Sequence, residues 1–321
     1  MNYTKIREWR EQYIHQQENH EKLNQFHDEL MMKTITTAME KVKQEQGDIP
    51  APFAFFLMGS AARKEQSIWS DQDHGIVFDG TNKHQAYFQA LGSEIVKGLE
   101  MVGYERCDGF VMASKSLWTK PVEEWKEQVI SWLKEESWQS LRHFSTFFDS
   151  RVFLGEETLL QEVKEVTFSY IQEQPMIMNR LIDNFAFIHK SIGLFGQLLP
   201  QQNGKRAGQI NIKTTTLFPY VNSLRLLVLW NQISEASTAS RFTALKETYP
   251  FLTEYEVLFE KLQAFKFVFT KDAIEYDGVH YIPLKNLSKE DKQELKEYMK
   301  KGAELFERTK KLIEKECAKW S

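Results

Sequence analysis

Residues 58–78 read MGSAARKEQSIWSDQDHGIVF. A wholly apolar run, Phe53 to Met58, enters this stretch, and another, Ile76 to Phe78, leaves it. Both runs suit buried strands. Between them Gly59-Ser60 follows directly on the first strand and opens a turn into a helix. Backbone N–H groups at such a turn favour phosphate. Gly59 has no Cβ to keep a ligand away, Ser60 adds a hydroxyl, and Arg63 offers a planar fork for phosphate oxygens. Further on come Asp71 and Asp73. Residues two apart on a strand share a face, so the two carboxylates are expected side by side. Like charges so placed repel unless a cation lies between them. Mg²⁺ is the natural choice, because it takes carboxylate and phosphate oxygens. Piece by piece, the stretch is also a serine cap, a surface arginine and a solvated turn. Those separate readings leave the order of the pieces unexplained.

Working outward, residues 4–46 carry apolar side chains at helical spacing (Leu23, Phe26, Leu30, Met31, Ile35 and Met39), and Gly47 to Pro50 ends the run. Residues 84–101 and Pro121 to Leu133 also read as helices, whereas 104–113 and Phe144 to Phe153 read as strands. This mixture predicts an α+β domain over 51–155, with a small mixed sheet, preceded by a helical segment over 1–50. From 156 to 321 the chain reads as an α-helical bundle. Ser288 to Asp291 is a capping-box-like start to its last helix, and Gly204 to Gly208 is its most loop-like piece.

Composition sets limits. The 41 basic and 45 acidic residues leave a net charge of −4, so nothing points to nucleic acid, whose partners are usually basic. Two cysteines, Cys107 and Cys317, build neither a disulfide framework nor a cysteine-based zinc site. The polar first twenty residues lack a signal-peptide core, and no apolar stretch reaches the ~18 residues of a membrane span. A cytoplasmic protein with no membrane partner is expected. There is no Walker A pattern and no Gly-x-Gly pair.

With Gly-Ser, a basic residue and Asp-x-Asp in that order, the stretch resembles the signature of the DNA polymerase β-like nucleotidyltransferase superfamily. More narrowly, Arg-Lys-Glu-Gln and Ser-Asp-Gln-Asp resemble a bacterial nucleotidyltransferase family with a helical substrate-binding domain, related to PII uridylyltransferase. Three further segments carry the same resemblance: CDGFVMASKSLW (107–118), FFDSRVFLGEETLL (147–160) and IKTTTLFPYVNSLRLL (212–227). Ala62 stands where that family usually has glycine, and Asn211 and Asn222 stand where aspartates are expected.

The resemblance implies transfer of a nucleoside monophosphate from a nucleoside triphosphate to a protein or small-molecule acceptor, with release of pyrophosphate. It implies two Mg²⁺ ions, with Mn²⁺ as a substitute, held by Asp71, Asp73 and a third carboxylate. Asp149, in an aromatic strand pattern, is preferred for that third position over Asp108, which lies in a turn-like Cys-Asp-Gly. Ser60 and Arg63 would hold the β and γ phosphates, and Lys213 and Arg225 would close over the nucleotide or the acceptor. The alternative is a nucleotide-binding regulatory or interaction module without catalysis, to which Ala62, Asn211 and Asn222 lend some weight.

Overall fold

The computed structural model describes residues 2–186 and 192–320, and its first helices begin where short polar side chains cap them. Asn2 and Asn19 accept hydrogen bonds from the Lys5 and Lys22 amides, and so start α1 (Tyr3–Tyr13) and α2 (His20–Gln46). The single helix expected over 4–46 is therefore two. Asn19 is extended (φ −152°), and its side chain competes with the backbone for the same N–H groups.

The chain then builds β1 (Phe53–Leu57), the one-turn α3 (Gly59–Ala62), β2 (Asp71–Gln72), β3 (His74–Phe78), α4 (Gln85–Val102), β4 (Glu105–Arg106), β5 (Thr119–Pro121), α5 (Val122–Glu135), α6 (Trp138–Phe148), β6 (Arg151–Gly155) and α7 (Glu157–Glu173). Strand order in the main sheet is β5-β3-β1-β6. β1 runs antiparallel to β3 and β6, while β5 is parallel to β3. β1 and β3 are buried throughout, which is why both read as unbroken apolar runs. The aromatic side chains of β1 alternate between two layers. Phe53 packs on Phe88 of α4, which also stacks on Phe78 at 4.4 Å. Phe56 turns the other way, against Trp125 of α5 and Phe147 of α6. Gly75, opposite Phe56 in the register, leaves room for its ring, because a Cβ there would lie 2.4 Å from Phe56 Cζ.

Two expected strands differ. Within 104–113 only Glu105–Arg106 is a strand, and Phe110 is exposed with φ +55° in a turn. The span Phe144 to Phe153 divides between the end of α6 and β6. Leu141, Phe144 and Phe148 fall at helical spacing behind the Ser137 cap, and they outweigh the β propensity of the aromatic residues.

The chain divides into two compact units, Met1–Tyr170 and Ile171–Ser321. The second contains α8 (Ile177–Phe185), β7 (Gln209–Asn211), α9 (Phe218–Trp230), α10 (Thr238–Leu245), α11 (Leu252–Thr270), β8 (Tyr281–Pro283) and α12 (Lys289–Cys317). α9 is its centre, with every residue from Pro219 to Leu229 buried. Gly302 brings α12 close to it, since a Cβ there would meet the Tyr220 ring at 2.7 Å. Ser288 and Asp291 form the expected reciprocal capping box. The antiparallel pair β7–β8 was not expected from sequence, because each strand has three residues and the two lie far apart in the chain. Among the described residues no helix is long and apolar enough to cross a membrane.

Candidate functional site

Gln72 sets the direction of its neighbours. It is buried, and its amide donates to the Val96 and Tyr104 carbonyls, both at 3.2 Å. Asp71 and Asp73, one residue either side, therefore face the opposite way. His74 is fully buried behind them. The Ala113 N–H donates to its Nδ1 at 3.2 Å, which leaves the proton on Nε2, facing Gln72 Oε1 at 3.3 Å. Burial pushes this imidazole down to about 3. It is a neutral strut.

β2 and β4 run parallel, with Asp71 opposite Glu105 and Gln72 opposite Arg106. Continued by one residue, that register sets Cys107 beside Asp73. One ligand atom each from Asp71, Asp73 and Cys107 lies within 4.8 Å of the others, and all three residues are half-buried. Burial, followed by the Asp73 charge, pushes the Cys107 thiol up to about 12. The sequence reading used Cys107 only to exclude a disulfide framework and a cysteine-based zinc site, and missed this placement. The only sequence signal was a cysteine opening a tight turn.

Gly59 is bound up with the same carboxylate. Its φ is +56°, and a Cβ there would lie 2.1 Å from Asp73 Oδ2. The absent side chain at the β1–α3 turn thus makes room for Asp73, whose carbonyl also accepts the Met58 amide at 2.8 Å. Ser60 lies half-buried in the first turn of α3, and Ala62 is fully buried in the same helix.

Arg63 lies just beyond α3, nearly buried. Its Nε donates to Glu65 and its Nη1 to Asp149, each at 2.8 Å. Burial works against this guanidinium, but the Glu65 and Asp149 charges outweigh it and raise its pKa. Asp149 is fully buried at the C-terminal end of α6, two residues before β6, rather than within a strand. Arg151, two residues further on, bonds to Asp28 and to the Ala61 carbonyl. Asp108 is exposed, in a turn closed by the Phe110 N–H on the Cys107 carbonyl. Among the described residues, both stand outside the group formed by Asp71, Asp73 and Cys107.

In the helical unit, Lys213 opens a π-helical turn, Lys213–Leu217. The Asn211 side chain accepts the Thr214 amide just before it. Such turns are frequent at functional sites. Lys213 is half-buried, and its charge, with those of Lys266 and Arg206, adds to burial in pushing His280 down to about 2. Arg225 is buried rather than a surface charge. Its Nη1 donates to Asn222 Oδ1 at 2.7 Å, and its guanidinium lies 5.1 Å from the Phe185 ring centre. Asn222 also donates through Nδ2 to the Phe185 carbonyl at 3.1 Å. A carboxylate has no proton to donate, so this double role explains asparagine where aspartate was expected.

The family model described as "Putative nucleotidyltransferase DUF294" matches residues 4–139, and the one described as "Putative nucleotidyltransferase substrate binding domain" matches residues 175–312. The chain belongs to this nucleotidyltransferase family. No curated protein matches it significantly. The first match spans Gly59, Ser60, Arg63, Asp71, Asp73 and Cys107, and the second spans Lys213 and Arg225, whereas Asp149 lies outside both. Nucleotidyltransferases typically need a divalent cation. The donors here fit one: two carboxylates turned to the same side, reachable from solvent, with one of them seated in the space left by a glycine.

Proposed function

We propose that this nucleotidyltransferase moves a nucleoside monophosphate from a nucleoside triphosphate to a protein or small-molecule acceptor and releases pyrophosphate. The observation that carries this reading is the convergence of Asp71 and Asp73 beside the Gly59 turn. In this reading Asp71 and Asp73 hold the divalent cations, Mg²⁺ or Mn²⁺. Bound there, the metal neutralises the triphosphate and lowers the pKa of the acceptor hydroxyl.

The chain's own groups then have separate tasks. Gly59 keeps the Asp73 carboxylate in place, and Gln72 and His74 hold the strand behind it. The Ser60 hydroxyl and the Arg63 guanidinium serve the β and γ phosphates. Arg63 keeps its charge at any working pH, because Glu65 and Asp149 flank it. Asp149 is the candidate for taking the acceptor proton, and reaching it requires Arg63 to exchange a carboxylate for phosphate. Lys213, half-buried at the π-helical turn, is the cation that the substrate-binding domain offers its own substrate, and Arg225 is held against Asn222 and Phe185 in the same domain. A relation to PII uridylyltransferase would favour a protein hydroxyl as the acceptor.

The test is pyrophosphate release from ATP, UTP, CTP and GTP across an acceptor screen, with Mg²⁺ and with EDTA. Asp71→Asn and Asp73→Asn are each expected to lower turnover by about 10²–10³-fold, comparable with the loss of a main electrostatic contact at a reacting centre. Nucleotide binding without turnover on any acceptor would instead support a regulatory module.

A further inference from the structure

Cys107 is the group that the carboxylate reading leaves unused. It stands level with Asp73 across the β2–β4 pairing, and its ligand atom lies within 4.8 Å of those of both aspartates. Cys107 is half-buried, as are both aspartates, so all three donors are reachable from solvent. The turn that follows is closed by the Phe110 N–H on the Cys107 carbonyl, with Phe110 in the left-handed region, so the backbone on both sides of Cys107 is pinned. The other two carboxylates weighed for the third position, Asp108 and Asp149, lie outside this group.

We infer that Cys107 Sγ is the third protein donor of the cation site, and that it makes the site selective for thiophilic divalent ions such as Zn²⁺ and Co²⁺ over Mg²⁺. The inference rests on the reading of Asp71 and Asp73 as cation ligands. Hard oxygen donors alone suit Mg²⁺, whereas a thiolate favours zinc and its neighbours in the first transition row. On binding, the S–H bond breaks and its proton passes to solvent. The freed sulfur lone pair forms the bond to the ion, and no oxidation state changes. Mg²⁺ gains nothing from the sulfur and binds through the carboxylates.

The test is Co²⁺ titration of the full-length protein followed by absorbance, with affinities for Co²⁺, Zn²⁺ and Mg²⁺ from calorimetry. A thiolate-to-cobalt charge-transfer band is expected in the wild type and in Cys317→Ser, and not in Cys107→Ser. Cys107→Ser should weaken Co²⁺ and Zn²⁺ by at least about tenfold, the scale on which even supporting groups of metal sites act, and leave Mg²⁺ unchanged. If Cys107→Ser does not fold, Asp71→Asn replaces it: a shared ion loses its band and at least about tenfold in Co²⁺ affinity when the carboxylate goes. Co²⁺ binding that Asp71→Asn weakens, but that gives no thiolate band, would overturn the role of Cys107 and leave the carboxylate site standing. Binding of no cation, or equal binding by Asp71→Asn, would overturn both.

Discussion

At Gly59 a single methyl group meets two penalties. Alanine costs roughly 1–2 kcal/mol at the positive φ, and its Cβ would occupy the place of Asp73 Oδ2. The carboxylate must then move by about an ångström, a displacement that can cost about 10²-fold in rate. Gly59→Ala is therefore expected to fold with slightly lower urea resistance and to lose about two orders of magnitude in kcat/KM for pyrophosphate release. A loss of only a few-fold would show that Asp73 does not need this seat. His27 gives a second residue-level expectation. The Tyr104 hydroxyl donates to its Nδ1, its Nε2 donates to the Ser67 carbonyl, and burial followed by the Arg10 charge pushes it down to about 3. Between that value and ~6.5, its unfolded pKa, the unfolded chain binds the proton and the folded chain does not. Stability is thus full above that window and falls as pH drops through it, by roughly 1–2 kcal/mol per pH unit from this one group. The urea midpoint between about pH 7 and pH 5 should decline less steeply in His27→Gln than in the wild type.

α6 is the element on which the sequence reading and the structure diverge most usefully. Phe144, Phe147 and Phe148 read as strand residues because aromatic side chains favour strands. The spacing of Leu141, Phe144 and Phe148 and the Ser137 cap were the better signals. The consequence is more than a label. As a helix, α6 packs Phe147 on Phe56 and Trp125, and its end delivers Asp149 to Arg63. Ser137→Ala removes the cap and is expected to cost about 1 kcal/mol, read as a lower urea midpoint. Divalent-cation affinity should not change, since α6 contributes nothing to the group of Asp71, Asp73 and Cys107. The strands that flank Asp71 and Asp73, β1 and β3, were legible because they are short, wholly buried runs. The division at Asn19 was not, because the apolar stripe of α2 runs on without a proline or glycine to mark its start.

For the molecule as a whole, ligand linkage is the measurement that joins site to fold. A triphosphate present at 100 times its Kd stabilises the state that binds it by about 2.7 kcal/mol, a rise of a few degrees in Tm for a chain of this size. The rise is expected with Mg²⁺ present, and it should vanish with EDTA or in Asp71→Asn, because bare carboxylates repel phosphate. An equal rise with and without metal would count against Asp71 and Asp73 as the bridge between protein and nucleotide. What the sequence determined by itself was everything carried by short-range pattern. That covers the apolar runs of β1 and β3, the helical second half, the capping box of α12, and the two-residue spacing that turns Asp71 and Asp73 to the same side. What only the tertiary structure decided were the partners. Cys107 stands beside Asp73, Arg63 holds Asp149, and the Asp73 carboxylate fills the space that Gly59 leaves. Periodicity reports which face of an element is buried. It carries no information on which distant segment lies against that face, because strand register and helix-end placement are set by packing between elements remote in the chain.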